Sequence, residues 1–192
     1  MDVANLFVGD KVILSAGGSA YYDLVAERLG EVRLSKPAML LLRCGCYLSH
    51  DVGLYARSFG QVLDRSSAAR AVPGRFQNAL EVWTYVLSVP EPGRAILGAG
   101  RRDFGADIGP PKALKLFRPG RDPAPVALAA AWEIAAVNDQ HAHMTFPSEG
   151  DVAVGDMIAL GPSHPCTTFD RWRLIYVVDD DYTVTSAIRT CF

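Results

Sequence analysis

Lys11-Val12-Ile13-Leu14-Ser15-Ala16-Gly17-Gly18-Ser19-Ala20-Tyr21-Tyr22-Asp23-Leu24-Val25 joins a β-branched run to an amphipathic one through a glycine pair. Bounded by Gly9-Asp10 and Gly17-Gly18, the run from Lys11 to Ser15 predicts a short buried strand. A helix follows at once: Ser19 is a suitable N-cap, Tyr21, Leu24, Val25 and Leu29 fall on one stripe, and Gly30 suits the position just past the C-terminus. Met39 to Leu42 predicts the next strand, ahead of Cys44-Gly45-Cys46-Tyr47. These pieces read as consecutive elements of an α/β layer that stops near residue 65.

From Glu81 the texture changes to short apolar or alternating runs separated by Pro, Gly and Asp: Glu81 to Val89, Ala95 to Gly98, Asp156 to Leu160, Arg173 to Val178 and Tyr182 to Ile188. Their period predicts an antiparallel β domain. Ala127 to Val137 reads as a bent strand, although its alanines also favour helix. Asp179-Asp180-Asp181 predicts a hairpin turn, because no glycine and terminal glutamate follow as a calcium loop requires.

The chain has 192 residues, 49 % of them hydrophobic, and a net charge of −2 from 19 basic and 21 acidic side chains. That length allows one domain or little more, and the composition is that of a folded protein. No basic stripe is present for a phosphate backbone, so nucleic acid is not an expected partner. No apolar run approaches the ~18 residues that span a bilayer, and the acidic N-terminus lacks the pattern of a secretory signal. The expected address is cytoplasmic, with the four cysteines reduced.

Gly161-Pro162-Ser163-His164-Pro165-Cys166 is the strongest chemical signal. In an extended segment His164 and Cys166 face the same side, about 6 to 7 Å apart at their Cα atoms, and imidazole and thiolate are both good zinc ligands. The same spacing also fits an ordinary loop with an unrelated His and Cys. His141 and His143 form a second such pair, able to close a four-ligand site or to remain hydrogen-bonded turn residues. The Gly17-Gly18-Ser19 turn suits a phosphate group at a helix N-terminus, and equally a tight capped turn. Cys44 and Cys46 read as small packing thiols, because a redox pair normally has two intervening residues. Trp83, Trp132 and Trp172 read as core.

Four stretches resemble the C-terminal half of bacterial D-serine dehydratases and related D-amino-acid deaminases, fold-type III pyridoxal-phosphate enzymes that share a family with D-threonine aldolases. They are Ser15 to Asp23, Arg43 to Asp51, Gly98 to Asp103, and Gly161 to Trp172 with the closing Ile188-Arg189-Thr190-Cys191-Phe192. The resemblance implies a lyase that converts D-serine, or a similar D-β-hydroxy amino acid, to pyruvate and ammonia. It implies zinc on His164 and Cys166, assisting loss of the β-hydroxyl as a Lewis acid, and pyridoxal phosphate beside Gly17, Gly18, Ser19 and Tyr47. A cysteine as the second ligand matches the dehydratase side of the family, since the aldolases carry an aspartate there.

The resemblance implies an α+β chain: residues 1–65 as the last βα elements of an incomplete (β/α) barrel, and residues 66–192 as a mainly antiparallel, metal-binding β domain. The family's Schiff-base lysine belongs to a part of the pattern that lies before Met1. Lys11, Lys36, Lys112 and Lys115 do not match it, so no catalytic residue is assigned and this chain alone is expected to be an inactive truncated piece. A homodimer or a complementing barrel fragment is the expected macromolecular partner. The alternative is a non-catalytic zinc-binding or interaction protein derived from such an enzyme, with His141 and His143 completing its site.

Overall fold

In the computed structural model, residue 7 and residues 9–191 are described; residues 1–6, 8 and 192 lie outside them, including Phe192 of the closing motif. The β-branched run forms β1 (Val12–Ala16), which pairs in parallel with β2 (Ala38–Leu42) from Val12 opposite Ala38 to Ala16 opposite Leu42. Parallel neighbours need a crossover, and α1 (Tyr22–Glu31) supplies it. Two expectations at its ends give way. Ser19 opens a single 3-10 turn, Ser19–Tyr21, and makes no side-chain cap bond. Its φ of 44° lies outside the extended range an N-cap needs. Gly30 stays inside the helix, which closes when the Val32 N–H bonds the Leu29 carbonyl oxygen at 3.3 Å.

α2 (Leu54–Arg65) and α3 (Ser67–Ala71) follow, the second capped by Ser66, whose hydroxyl accepts from the Ala69 N–H at 3.1 Å. Arg65 grips Asp23 with two prongs, Nη2 to Oδ1 at 2.6 Å and Nε to Oδ2 at 2.8 Å. Ile13, Met39, Leu40, Leu41 and Leu42 are all exposed, and α1 buries none of its residues. The predicted apolar stripe of α1 is therefore only partly covered: Val25 and Leu29 are half-buried, while Tyr21 and Leu24 are exposed.

The chain divides into two units, Met1–Leu48 with Tyr55–Phe76, and Ser49–Leu54 with Gln77–Phe192. The second is built on a seven-stranded antiparallel sheet: β3 (Val82–Glu91), β4 (Arg94–Leu97), β5 (Lys112–Phe117), β6 (Val126–Ala127), β7 (Glu133–Val137), β8 (Ala142–Thr145) and β9 (Met157–Gly161). Their spatial order is β6-β5-β9-β3-β4-β8-β7. Register shifts interrupt three of its ladders, and such irregularities bend strands. β5 also approaches β7, so the sheet curls and the fold is α+β.

Alternation on β3 sends Val82, Thr84 and Val86 inward. The two valines join Leu97, Phe104, Ile134, Met144, Ile158 and Leu160 in one core. The expected bent strand is two strands, β6 and β7, separated by a turn in which the Trp132 N–H bonds the Ala129 carbonyl oxygen. Trp132 is partly buried and stacks on Phe146 at 5.1 Å, whereas Trp172 is exposed.

The last two runs form a hairpin of β10 (Leu174–Val178) and β11 (Val184–Arg189). The aspartate triplet turns the chain as expected: Asp179 Oδ1 accepts from the N–H groups of Asp181 at 3.0 Å and Thr183 at 2.9 Å. No helix among the described residues is long and apolar enough to cross a membrane.

Candidate functional site

β9 lies between β3 and β5 and carries the chain out of the sheet at Gly161. A Cβ at Gly161 would stand 2.7 Å from both Leu114 Cδ1 and Val52 Cγ1, so a larger residue would have to displace those side chains. Pro162 and Pro165 are fully buried. His164 keeps an extended backbone, φ −136° and ψ 94°, and Pro165 then starts α4 (Pro165–Phe169). A fixed proline φ is pre-organised for a first helical position. The segment is therefore not extended through Cys166: the backbone turns between the two ligand candidates, so strand alternation does not describe their directions.

Thr168 is buried under this turn. Its hydroxyl donates to the His164 carbonyl oxygen at 2.9 Å and accepts from the Gly105 N–H at 2.9 Å. These bonds draw in the loop after Phe104, which no spacing rule connects to His164. On that loop Asp107 places Oδ2 2.6 Å from His164 Nδ1, while its Oδ1 accepts from the Thr167 hydroxyl at 3.1 Å. Partial desolvation works to raise the Asp107 carboxyl. The hydrogen bonds from His164, from its own backbone N–H and from Thr167 outweigh that and hold it below the ordinary carboxylate range.

An ionised carboxylate only accepts, so Nδ1 is the protonated ring nitrogen and Nε2 carries the lone pair when the ring is neutral. His164 is partly buried and Cys166 is exposed. An imidazole backed by a carboxylate, followed by an accessible thiol, is a donor set that suits zinc with further positions for water or substrate oxygen. Among the described residues no group of three or more His, Cys, Asp and Glu side chains is gathered to hold a metal. His141 is exposed, and His143 sits on β8 opposite Ile96 and Ala136, with Nε2 3.3 Å from Asn138 Nδ2. The structure does not assemble these two with His164 and Cys166.

In the first unit, the turn and Tyr47 do come together. The Tyr47 hydroxyl donates to the Ser19 carbonyl oxygen at 2.9 Å, and its ring lies 4.5 Å from Tyr22, 5.1 Å from Tyr55 and 5.0 Å from Phe76. Burial, then the neighbouring Tyr22 and Tyr55, push the Tyr47 hydroxyl up, so it stays a neutral donor. Gly18 is required by the local backbone: a Cβ there would stand 2.9 Å from Tyr22 Cα, at φ 156°. At Gly17 the nearest atom to an added Cβ is the Arg43 carbonyl oxygen at 3.9 Å, which leaves room beside the turn. Small residues ahead of a ten-residue helix suit a phosphate approaching backbone N–H donors. Cys46 is buried and Cys44 half-buried near this turn.

A polar network in the second unit also escaped the sequence reading. Lys115 Nζ donates to Glu81 Oε1 at 2.7 Å and to the Tyr182 hydroxyl, which donates to Glu81 Oε2 at 2.7 Å. Trp83 Nε1 donates to the same oxygen at 3.1 Å. Lys36 is held by the carbonyl oxygens of Phe7 and Gly9.

Comparison with known proteins gives a consistent picture. The family described as "Putative serine dehydratase domain" matches residues 79–178. No curated protein matches the chain. Among solved structures, D-threonine aldolase from Filomicrobium marinum is similar at 20 % identity and a TM-score of 0.66, covering 91 % of this chain and 40 % of that one. An alanine racemase-like protein from Idiomarina loihiensis is similar at 13 % identity and 0.56, covering 92 % and 43 %. D-threo-3-hydroxyaspartate dehydratase from Delftia sp. HT23 is similar at 18 % and 0.55, covering 93 % and 44 %. Two variants of that dehydratase match as well, a cysteine-to-alanine variant in its metal-free form and a histidine-to-alanine variant, their altered residues two positions apart. This chain thus spans about two fifths of the length of the structures it matches.

Proposed function

From the family described as "Putative serine dehydratase domain", to which this chain belongs, we propose that it is the C-terminal part of a pyridoxal-phosphate-dependent lyase that eliminates the β-hydroxyl of D-serine or a similar D-β-hydroxy amino acid as water, the product taking up water again to release ammonia and a 2-oxo acid. His164 and Cys166 hold zinc in this reading. The observation that supports it is the 2.6 Å contact of Asp107 Oδ2 with His164 Nδ1, which leaves Nε2 available to coordinate. The spacing of the altered histidine and cysteine in the matched dehydratase variants supports the same pair.

Residues 1–65 are, in this proposal, the closing elements of a barrel, and Gly17, Gly18, Ser19 and Tyr47 bind the cofactor's phosphate. Pyridoxal phosphate supplies the electron sink that stabilises the carbanion at the substrate's α-carbon. This chain's own share is to hold the phosphate at the α1 turn and to place His164 and Cys166 where a metal can polarise the departing hydroxyl. The proton-abstracting lysine is not assigned to any of its lysines. The address is proposed as cytoplasmic, in keeping with the absence of a disulfide among the described residues.

Metal analysis of the purified chain against His164→Ala and Cys166→Ala tests the site. Zinc in the parent and its loss in both variants is expected, and equal content in all three removes the metal reading. Incubation with pyridoxal phosphate and D-serine should give no pyruvate and no borohydride-trapped lysine adduct from this chain alone. Turnover there would overturn the absence of a catalytic lysine.

A further inference from the structure

Asp107 belongs to a loop pinned at both ends to the residues that flank His164. Upstream, the Gly105 N–H donates to Thr168 Oγ1 at 2.9 Å; downstream, Ser163 Oγ donates to the Gly109 carbonyl oxygen at 2.5 Å. Gly105 allows the approach, because a Cβ there would fall 1.9 Å from Thr167 Oγ1 and 2.9 Å from the His164 carbonyl oxygen. The carboxylate is half exposed, so its remaining lone pairs reach water and it stays ionised without a further partner. Its two oxygens face two different partners, the His164 ring and the Thr167 hydroxyl, which fixes its plane as well as its position.

We propose that Asp107 is the positioning residue of the metal pair: it holds the His164 ring in the Nδ1-protonated tautomer and presents Nε2 to the metal, with Thr167 steadying the carboxylate. This rests on the zinc reading above for its metal arm only. An exposed ion pair with no further role contributes little to stability and leaves the tautomer unassigned. A carboxylate behind a coordinating histidine does more: it fixes the ring orientation and raises the basicity of the ligand nitrogen, and its loss lowers metal affinity by about 10- to 100-fold.

The test has two arms on the full chain. Ring 15N NMR of metal-free protein, at a pH where the imidazole is neutral, should show His164 protonated at Nδ1, with Asp107→Ala shifting it to the Nε2-protonated form that free imidazole side chains favour. Zinc affinity by chelator competition should fall about 10- to 100-fold in Asp107→Ala, and less in Asp107→Asn and Thr167→Val. If the alanine variant does not fold, the near-isosteric asparagine variant decides: a severalfold loss supports the assignment, and affinity within twofold of the parent overturns it. An unchanged tautomer in a folded Asp107→Ala also overturns it. A parent chain that binds no zinc yet shows the Nδ1 tautomer, lost in Asp107→Ala, sinks the metal reading while the positioning of the ring by Asp107 stands.

Discussion

The Tyr47 hydroxyl donates to the Ser19 carbonyl oxygen at 2.9 Å, so an aromatic side chain from the turn after β2 latches the turn after β1. Tyr47→Phe keeps the ring contacts with Tyr22, Tyr55 and Phe76 and removes only the latch. The expected cost is about 0.5–1 kcal/mol, at the low end for a hydrogen bond because the acceptor is near solvent. Hydrogen exchange should speed up at the amides of residues 19–23 and leave the second unit unchanged. Tyr47→Ala also empties the aromatic cluster and should cost about 2–4 kcal/mol.

Lys115 and Glu81 form a partly buried pair whose side chains are 35 % and 16 % exposed. Lys115→Met would leave the Glu81 carboxylate with only neutral donors, Tyr182 and Trp83. Complete burial would make this costly; the solvent still reaching Lys115 reduces the expected loss to about 1–2 kcal/mol, measured by urea denaturation. The double variant Lys115→Met/Glu81→Gln should recover part of that loss, because no unpaired charge remains.

Gly105→Ala tests the close approach of the Asp107 loop to α4. The new methyl can displace the Thr167 hydroxyl, but the His164 carbonyl oxygen is backbone and yields only if the loop withdraws. Destabilisation of about 1–3 kcal/mol is expected, with zinc affinity falling alongside. Full stability in denaturant would show that the loop has slack that the geometry denies.

The Asp23 carboxyl is held below its ordinary range, chiefly by the hydrogen bond from Arg65, which outweighs burial. The folded state therefore binds a proton less readily than the unfolded one. The stabilisation is complete above the ordinary aspartate pKa and is lost as pH falls through the depressed folded value. The urea midpoint of helical circular dichroism should decline over that acid window. In Asp23→Asn the decline should be smaller and the neutral-pH midpoint lower.

Much of the strand pattern is legible because it is local. Val12 to Ser15, Val82 to Val89 and Met157 to Leu160 carry their own alternation or β-branching, and Asp179 makes its turn with residues two and four positions on. The curl of the sheet is less visible, since Lys112–Phe117 mixes charged and apolar side chains and finds its place through non-local pairing with β9. At the candidate site, His164 and Cys166 are readable by residue type. Asp107 is not, because it reaches His164 across 57 positions, on a loop held by the Gly105 N–H donating to Thr168 Oγ1 and by Ser163 Oγ donating to the Gly109 carbonyl oxygen. The start of α4 at Pro165 was open to inference from proline's place at first helical positions, but the paired prolines also suit an extended run.

β9 completes the centre of the sheet, joining β3, made much earlier in the chain, to β5. Non-local pairings of this kind form slowly, since the intervening chain must be ordered before the contacts reward it. The Pro162–Cys166 segment issues directly from that strand and is anchored to the loop from Gly105 to Gly109. Its two donors therefore reach their final geometry only after the longest loop closure in the sheet has been achieved. On the zinc reading proposed above, metal capture would follow that closure: nascent or misregistered chains would present a histidine and a cysteine, but not the oriented imidazole that distinguishes a site from a pair of side chains.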